Sequence, residues 1–265
     1  DAGVGVYVDG VFLGRAQGLG TALYDIERIE VLKGPQGTLF GRNTTGGAIS
    51  IVTRAPSGEF RLDSRFGLAN FDGYNGAVHL DLPRIGDFSF KIDGVVNRRD
   101  GTTDNPVAGE SDFNAWDKRG IRAAALWQPT EDLSVNYAYD DAYDATTPFH
   151  AQLLVAGPVA SPLQRAGASL QRRRSSILGG AQQASVGKTS GHTLVIDWEL
   201  GERLQLKSIS AYRDLEQGQF DQGFIDWIST FAANRPFARY SLAQVKQHQW
   251  SEELQLIVST DQVEY

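Results

Sequence analysis

The sequence predicts an all-β membrane protein in which most strands belong to one antiparallel sheet. Two observations favour this fold class. Apolar and polar residues alternate in eight segments after Gly58, as expected for strands that have one apolar face. The connections between these segments are alternately short and long. Tight turns at one edge of a sheet and long loops at the other are typical of strands that span an outer membrane.

Composition is compatible with this class and excludes several others. The 265 residues include no cysteine, so disulfides and thiolate metal sites are excluded. No apolar run reaches the roughly 18 residues of a transmembrane helix. The mean hydropathy of −0.29 also fits a transmembrane sheet, because only every second residue faces lipid. The net charge of −7 and the lack of a basic helix argue against a nucleic-acid partner.

The first part of the chain has a different pattern, which starts with a hairpin. Alternating valines in Asp1–Arg15 surround Asp9-Gly10, a strong two-residue turn signal, so this range is expected to form two short strands. The next segment, Asp25–Lys33, is amphipathic and charged, and we expect a helix capped by Asp25.

A compact, glycine-rich connection follows. Gly34-Pro35 breaks the preceding element, and the glycines of the next stretch predict positive-φ or closely packed backbone rather than a linker. The β-branched segment Ala48–Thr53 is expected to be a strand.

The eight alternating segments define the expected sheet. They are Phe60–Leu68, Val78–Leu82, Phe88–Val96, Arg119–Trp127, Leu133–Asp140, Leu194–Leu200, Leu204–Tyr212 and Leu254–Val258. The short connections are Pro83–Asp87, Gln128–Asp132, Leu200–Arg203 and Ser259–Gln262, and the long ones are Arg98–Lys118, Ala145–Gly191 and Glu216–Gln247.

An energetic argument predicts which face of the sheet points outward. Arg61 and Arg65 share one face of Phe60–Leu68, and each would cost roughly 2–4 kcal/mol at the membrane midplane. The apolar face is therefore expected to meet lipid and the charged face a polar lumen. Trp127 and Trp198 lie beside short turns, where an aromatic girdle is expected.

Strings that resemble enzyme motifs fail on their spacing. Gly187-Lys188-Thr189 ends like a phosphate-binding loop, but Gln182 stands where the first glycine is required. Gly18-Leu19-Gly20 begins like a dinucleotide-binding loop, but its sixth position is Leu23. The four histidines lack metal-ligand spacing. We therefore expect no catalytic residues, no metal site and no enzymatic activity.

Three motifs resemble the TonB-dependent receptors. They are Val6–Val11 (VYVDGV), Glu27–Gly37 (ERIEVLKGPQG) and Gly41–Ile49 (GRNTTGGAI). The resemblance implies a small α+β plug domain inside a 22-stranded transmembrane β-barrel, which is a plugged-lumen architecture. Residues 1–55 would be the C-terminal half of the plug. Residues 56–265 would be the N-terminal part of the barrel, with about eight strands, so the barrel would be incomplete in this fragment.

The resemblance also implies a function. The protein would carry a scarce solute across the outer membrane of a Gram-negative bacterium, with a ferric siderophore or a similar iron complex as the leading cargo and an oligosaccharide as another ligand class. The implied partners are TonB, through an N-terminal segment expected outside this sequence, and outer-membrane lipid and lipopolysaccharide. No cofactor is implied, and iron enters only as part of a transported chelate. The alternative is a soluble or surface-exposed β-rich adhesion or binding protein without transport activity.

Site residues follow from the same resemblance. Arg15 and Gln17 would lie on a plug apex and contact substrate, or simply form a solvated loop tip. Arg172, Arg173 and Arg174 would bind an anionic ligand, or form a solvated charged face. The aromatic loop would stack on ligand or pack on itself; its members are Phe220, Phe224, Trp227, Phe231 and Phe237. Structural contacts between plug and barrel are implied for Arg28, Lys33, Gly34, Gly37, Arg42, Gly46 and Gly47. Lys33 stands where the family usually has arginine, so it keeps the charge without the bidentate guanidinium.

Overall fold

The chain folds into two β-sheets. The structure, a computed structural model, describes residues 3–14, 25–41, 43–160, 162–177, 180–223 and 239–259. The first sheet has four strands, in the order β2-β1-β4-β3, and the second has eight, in the order β12-β11-β10-β9-β8-β7-β6-β5. The first sheet and its helix comprise β1 (Val4–Val8), β2 (Val11–Phe12), β3 (Ile26–Lys33), α1 (Gly37–Phe40) and β4 (Gly47–Thr53).

The predicted hairpin is confirmed. Tyr7 and Val8 of β1 pair with Phe12 and Val11 of β2. Asp9 and Gly10 connect the strands with φ angles of 50° and 82°, which is the positive-φ turn that matches the twist of a hairpin. β1 also pairs in parallel with β4, so the turn lies at one end of a mixed sheet.

The helix predicted from Asp25 to Lys33 is wrong. Ile26–Lys33 is strand β3, and it pairs antiparallel with β4. Ile29 and Val31 lie opposite Ile51 and Ile49, and such β-branched cross-strand pairs favour a sheet over a helix. In the described part of this unit, the helix is the single turn α1.

One glycine of the connection is required by sterics. Gly47 begins β4 with a φ of +150°, and a Cβ built there would lie 2.4 Å from the backbone oxygen of Leu32. Any side chain would therefore push β3 away from β4. The predicted strand Ala48–Thr53 is confirmed within β4.

All eight strands expected in the second sheet are present, and each pairs antiparallel with its sequence neighbours. They are β5 (Arg61–Ala69), β6 (Gly73–Ile85), β7 (Phe88–Arg99), β8 (Trp116–Trp127), β9 (Leu133–Thr146), β10 (Ser185–Gly201), β11 (Leu204–Gly223) and β12 (Arg239–Val258). Several run well past their predicted ends toward the long loops, because they continue there with polar residues that interrupt the apolar alternation. β5 and β12 have no further partner strand among the described residues, so the sheet does not close.

The two faces of the second sheet differ as predicted. Phe66 and Leu68 are 74% and 79% exposed on the outward face. Asp81, Lys91 and Asp93 are buried on the opposite face, which meets the first sheet. Within the described residues, no helix has the length and apolar character needed to cross a membrane.

Two long loops of the second sheet hold each other in place. The β7–β8 loop and the β9–β10 loop, which contains α2 (Pro162–Gly167), meet at a bridge between Asp104 and Ser175. The Asp104 N–H donates to the Arg174 carbonyl at 2.8 Å, and the Ser176 N–H donates to the Asp104 carbonyl at 3.0 Å. Phe113 is buried against the His150 ring. The long-loop edge is therefore a structured surface over the described residues.

Candidate functional site

The contact between the first sheet and the wall formed by the second contains two clusters of buried charge. The first is centred on Asp9, in the β1–β2 turn. Arg122 on β8 donates from Nη2 to Asp9 Oδ2 at 2.6 Å. Thr53 donates its N–H to Asp9 Oδ1 and its hydroxyl to Asp9 Oδ2, both at 2.8 Å. The turn carboxylate is thus bound by both sheets.

The Asp9 cluster continues along the wall as alternating charges. Arg122 Nη1 lies 3.8 Å from Asp140 Oδ1 on β9, and Arg213 Nη1 on β11 lies 2.7 Å from Asp140 Oδ2. Gly191 on β10 makes room for this arrangement, because a Cβ there would lie 2.5 Å from Arg213 Nη1. The side chain of Arg122 is only 6% exposed, and the carboxylates of Asp9 and Asp140 compensate its buried charge.

The second cluster is centred on Asp25, just before β3. Lys91 on β7 has a fully buried side chain, and its Nζ donates to Asp25 Oδ2 at 2.7 Å and to the Arg54 carbonyl at 3.2 Å. Arg54 Nε lies 3.3 Å from Asp25 Oδ2. Behind Lys91, His79 Nδ1 lies 2.8 Å from Asp93 Oδ1.

Asp25, His79 and Asp93 have ligand atoms within 4.8 Å of one another, a spacing that a metal ion would accept. The ammonium of Lys91, however, lies 2.7 Å from the Asp25 carboxylate and 3.9 Å from that of Asp93. The position for a cation between the carboxylates is therefore taken by the lysine, and the geometry is that of an ion-pair cluster.

Apolar and backbone contacts complete the interface around the hairpin. Val11 packs with Ile209 and Ala211 in a small buried cluster. Gln249 on β12 donates from Nε2 to the Phe12 carbonyl at 2.7 Å and accepts from the Gly14 N–H at 3.2 Å. The hairpin is thus attached to the wall across β8–β12.

The Asp25 cluster predicts a specific acid sensitivity. Burial alone would raise the pKa of Asp25, but the hydrogen bond and charge of Lys91, with the charges of His79 and Arg54, outweigh it and hold that pKa below its ordinary value of 3.8. A lowered folded-state pKa stabilises the docked state above the ordinary value, and that stability is lost as the pH falls through the folded pKa.

We therefore expect the protection against hydrogen exchange at the start of β3 in the full-length protein to be unaffected by this carboxylate between about pH 5 and pH 7 and to fall below about pH 4. An Asp25→Asn variant should lose that acid-dependent step. An unchanged acid profile in the variant would contradict the assignment.

Arg28 and Lys33, which sequence reasoning proposed for the interface, are exposed among the described residues. The side chain of Arg28 is 53% exposed and pairs with Glu27 at 3.1 Å and Glu30 at 2.7 Å, both on its own strand. Lys33 is exposed. Among the described residues, neither side chain makes a hydrogen bond or ion pair to the second sheet.

The glycines proposed with them lie on the β3–β4 connection. The Gly34 N–H donates to the Gly46 carbonyl at 3.2 Å, and the Gly46 N–H donates to the Gly3 carbonyl at 2.6 Å. Gly37 begins α1, and Gly47 begins β4. Arg42 lies outside the described residues, and the structural roles of the whole set stay predictions.

The proposed ligand-contacting residues are only partly described. Arg173 lies in the loop framework, where its N–H donates to Gln152 Oε1 at 2.9 Å, while Arg172 and Arg174 are exposed on the same loop. Phe220 is buried in β11, 5.9 Å from the Tyr240 ring. The remaining candidates lie outside the described residues; they are Arg15, Gln17, Phe224, Trp227, Phe231 and Phe237. Substrate contact stays a prediction for all of them.

Sequence reasoning did not identify the charges that join the sheets. Asp9 was assigned only to a turn and Asp25 only to a cap. The sequence around Lys91 does indicate a charged face, because Lys91 lies between Phe90 and Ile92 on a strand that also contains Asp93. Charges on one face of a strand whose other face is apolar indicate a polar partner surface.

The first part of the chain matches a known protein family. Residues 1–48 match the family model described as TonB-dependent Receptor Plug Domain. The chain is similar to the TonB-dependent receptors over this range. The first sheet is accordingly called the plug sheet below, and the second the barrel sheet.

Two curated relatives show the extent of the sequence similarity. The pesticin receptor of Yersinia pestis is 34% identical over 111 residues, which are 42% of this chain and 16% of that protein. The metal-pseudopaline receptor CntO of Pseudomonas aeruginosa is 32% identical over 81 residues, which are 30% of this chain and 11% of that protein. The matched parts therefore span less than a fifth of these relatives.

Solved structures show the same fold over nearly the whole chain. The ferric yersiniabactin uptake receptor FyuA from Yersinia pestis has a TM-score of 0.74 at 21% identity, covering 98% of this chain and 37% of that one. The open form of the ferric-catecholate import receptor Fiu from E. coli K12 has a TM-score of 0.76 at 13% identity, covering 97% and 40%. The barrel sheet therefore has the fold of the corresponding strands in these solved structures.

Proposed function

We propose that the full-length protein takes up an iron–siderophore complex across the outer membrane of a Gram-negative bacterium, driven by TonB, and that it is not an enzyme. The observation that carries the proposal is how the plug sheet is held. Its described contacts with the wall are mainly ion pairs and hydrogen bonds around Asp9 and Asp25, and the buried apolar cluster at this contact is small.

Such an interface suits a plug that must move and return. Separating a buried ion pair costs little net free energy, because hydration of the two charges compensates for their lost attraction. An apolar interface would instead cost about 25 cal/mol for each Å² exposed to water. Water entering around Asp9 and Arg122 would therefore stabilise the displaced state, and re-pairing would restore the closed one.

Relatives support the cargo class. They include a metal-pseudopaline receptor, a ferric enterobactin receptor and a ferrioxamine receptor. Under this proposal residues 1–55 are the plug part and residues 56–265 the barrel part. The long loops face the outside, where Arg172–Arg174 would meet an anionic chelate. TonB and outer-membrane lipid would be the partners.

Deleting the full-length gene tests the proposal. Iron-starved cells should lose uptake of radioactive iron presented on one class among catecholate, hydroxamate and phenolate siderophores, and a plasmid copy should restore it. A strain without TonB should show the same loss. Unchanged uptake of all three classes in the deletion strain would overturn the proposal.

A further inference from the structure

Lys91 has more carboxylates around it than it binds. Its ammonium lies 2.7 Å from the Asp25 carboxylate of the plug sheet and 3.9 Å from that of Asp93 on its own strand. The register of β6 and β7 places Asp81 directly opposite Lys91, and directly opposed residues have Cβ atoms only about 4.5–5.5 Å apart. Two carboxylates of the wall therefore flank a lysine that is bound to a carboxylate of the plug sheet.

Asp81 is the unusual member of this group. It is 1% exposed, and its Oδ2 accepts no hydrogen bond from any described residue. Its Oδ1 accepts from the Ser57 N–H at 2.9 Å and from the Ser57 hydroxyl at 3.1 Å. An asparagine would accept the same two hydrogen bonds without placing a buried charge there. The contact with Ser57 therefore accounts for one oxygen of Asp81 and leaves its charge unexplained.

A second cation close to Asp81 is already bound elsewhere. Arg61 lies opposite Asp81 in the register of β5 and β6, but its Nε donates to Asp63 at 2.9 Å and its Nη2 lies 3.8 Å from Asp25 Oδ2. The Arg61 side chain is 38% exposed, whereas that of Lys91 is fully buried. Lys91, rather than Arg61, therefore needs a new carboxylate partner when Asp25 leaves.

We propose that Lys91 is a two-position switch, which binds Asp25 when the plug sheet is docked and Asp81 Oδ2 when the plug sheet moves away. The flexible four-carbon stem of lysine lets the ammonium turn between these acceptors while its strand stays in place. The wall then keeps a compensated charge after Asp25 has left, so displacement costs less than breaking a buried ion pair from one side. This role rests on the proposed function in one respect, because it takes the plug sheet as a part that moves.

Asp81→Asn in the purified full-length receptor tests this role through the direction of its effect. The amide keeps an acceptor for Ser57 but offers Lys91 no carboxylate, so the displaced state should be less stable. Hydrogen exchange at the start of β3, which reports release of this end of the plug sheet, should slow about tenfold. If Asp81 only held Ser57 in place, exchange there would be unchanged or faster, and either result would overturn the inference.

Two further variants identify the group through which Asp81 acts. In a Lys91→Met background, Asp81→Asn should no longer slow exchange; undiminished slowing there would overturn the inference, because Asp81 would then act on Asp25 directly. Asp144→Asn removes another wall carboxylate, which pairs with Lys118 at 2.9 Å, and should leave exchange at the start of β3 at the parent's rate. Equal slowing in Asp144→Asn would also contradict the switch, because any wall carboxylate would then suffice.

A crystal structure of the full-length receptor with Asp25→Ala provides a direct check. Without the plug carboxylate, Lys91 Nζ is expected at hydrogen-bond distance from Asp81 Oδ2, about 3 Å. An ammonium that stays away from Asp81 in this variant would overturn the inference. Neither measurement involves a siderophore, so a failure of uptake would bear on the proposed function alone.

Discussion

Replacing Arg122 by alanine is expected to release the β1–β2 hairpin from the barrel wall at a cost of about 3–5 kcal/mol, the range for breaking a buried ion pair from one side. The Asp9 carboxylate, whose partner Arg122 Nη2 lies at 2.6 Å, would keep only its hydrogen bonds from Thr53. Hydrogen exchange of residues 3–14 in the membrane-embedded full-length receptor should accelerate about 100-fold or more, as docking and exchange are coupled.

A second variant distinguishes an unpaired charge from a lost contact. Asn tolerates the positive φ that Asp9 adopts, so Asp9→Asn combined with Arg122→Met removes both charges and keeps the turn. The exchange rate of residues 3–14 in this double variant should lie between the rates in the parent and in Arg122→Ala. Arg28→Ala, which removes an exposed arginine, should change little. Equal exchange in the parent and in Arg122→Ala would contradict the role assigned to the Asp9 cluster.

Replacing Lys91 by methionine is expected to open the other attachment point, at a cost of about 3 kcal/mol. Methionine fills the fully buried site without an ammonium, so Asp25 and Asp93 lose the cation between them. This loss of docking free energy lies at the low end of the range for breaking a buried ion pair, because Arg54 Nε remains 3.3 Å from Asp25 Oδ2. Hydrogen exchange at the start of β3 should accelerate, and the pKa of Asp25 should rise.

Adding Asp25→Asn to Lys91→Met provides the control for that prediction. The amide removes the uncompensated carboxylate on the plug side, so part of the lost protection should return. If β3 exchanges faster in the double variant than in Lys91→Met, Lys91 acts through a group other than Asp25.

Elements whose structure is determined by residues close together in the sequence were predictable. The Asp9-Gly10 turn, β4 and the eight strands of the barrel sheet follow from turn chemistry and period-two alternation. Strand length was less predictable, since β11 and β12 continue beyond the apolar alternation with residues such as Asp214 and His248. β3 was mistaken for a helix because its charged residues suited helix ends, whereas its pairing with β4 decided the outcome.

The interface required the three-dimensional structure. Asp9 and Arg122 are 113 residues apart, and Asp25 and Lys91 are 66 apart. No local pattern joins such pairs. Family resemblance directed attention to Arg28 and Lys33, which carry the charge of the plug motif but lie on the exposed edge strand of the plug sheet.

A reversible covalent bridge between plug and wall tests the central claim most directly. Val11 and Ile209 are buried in the same cluster across the interface, and this part of the chain has no cysteine of its own. In a full-length receptor with Val11→Cys and Ile209→Cys, formation of the bridge is expected to stop siderophore uptake while siderophore binding persists. Reduction should restore uptake, and the two single variants should transport normally. Normal uptake through a fully bridged receptor would contradict the account.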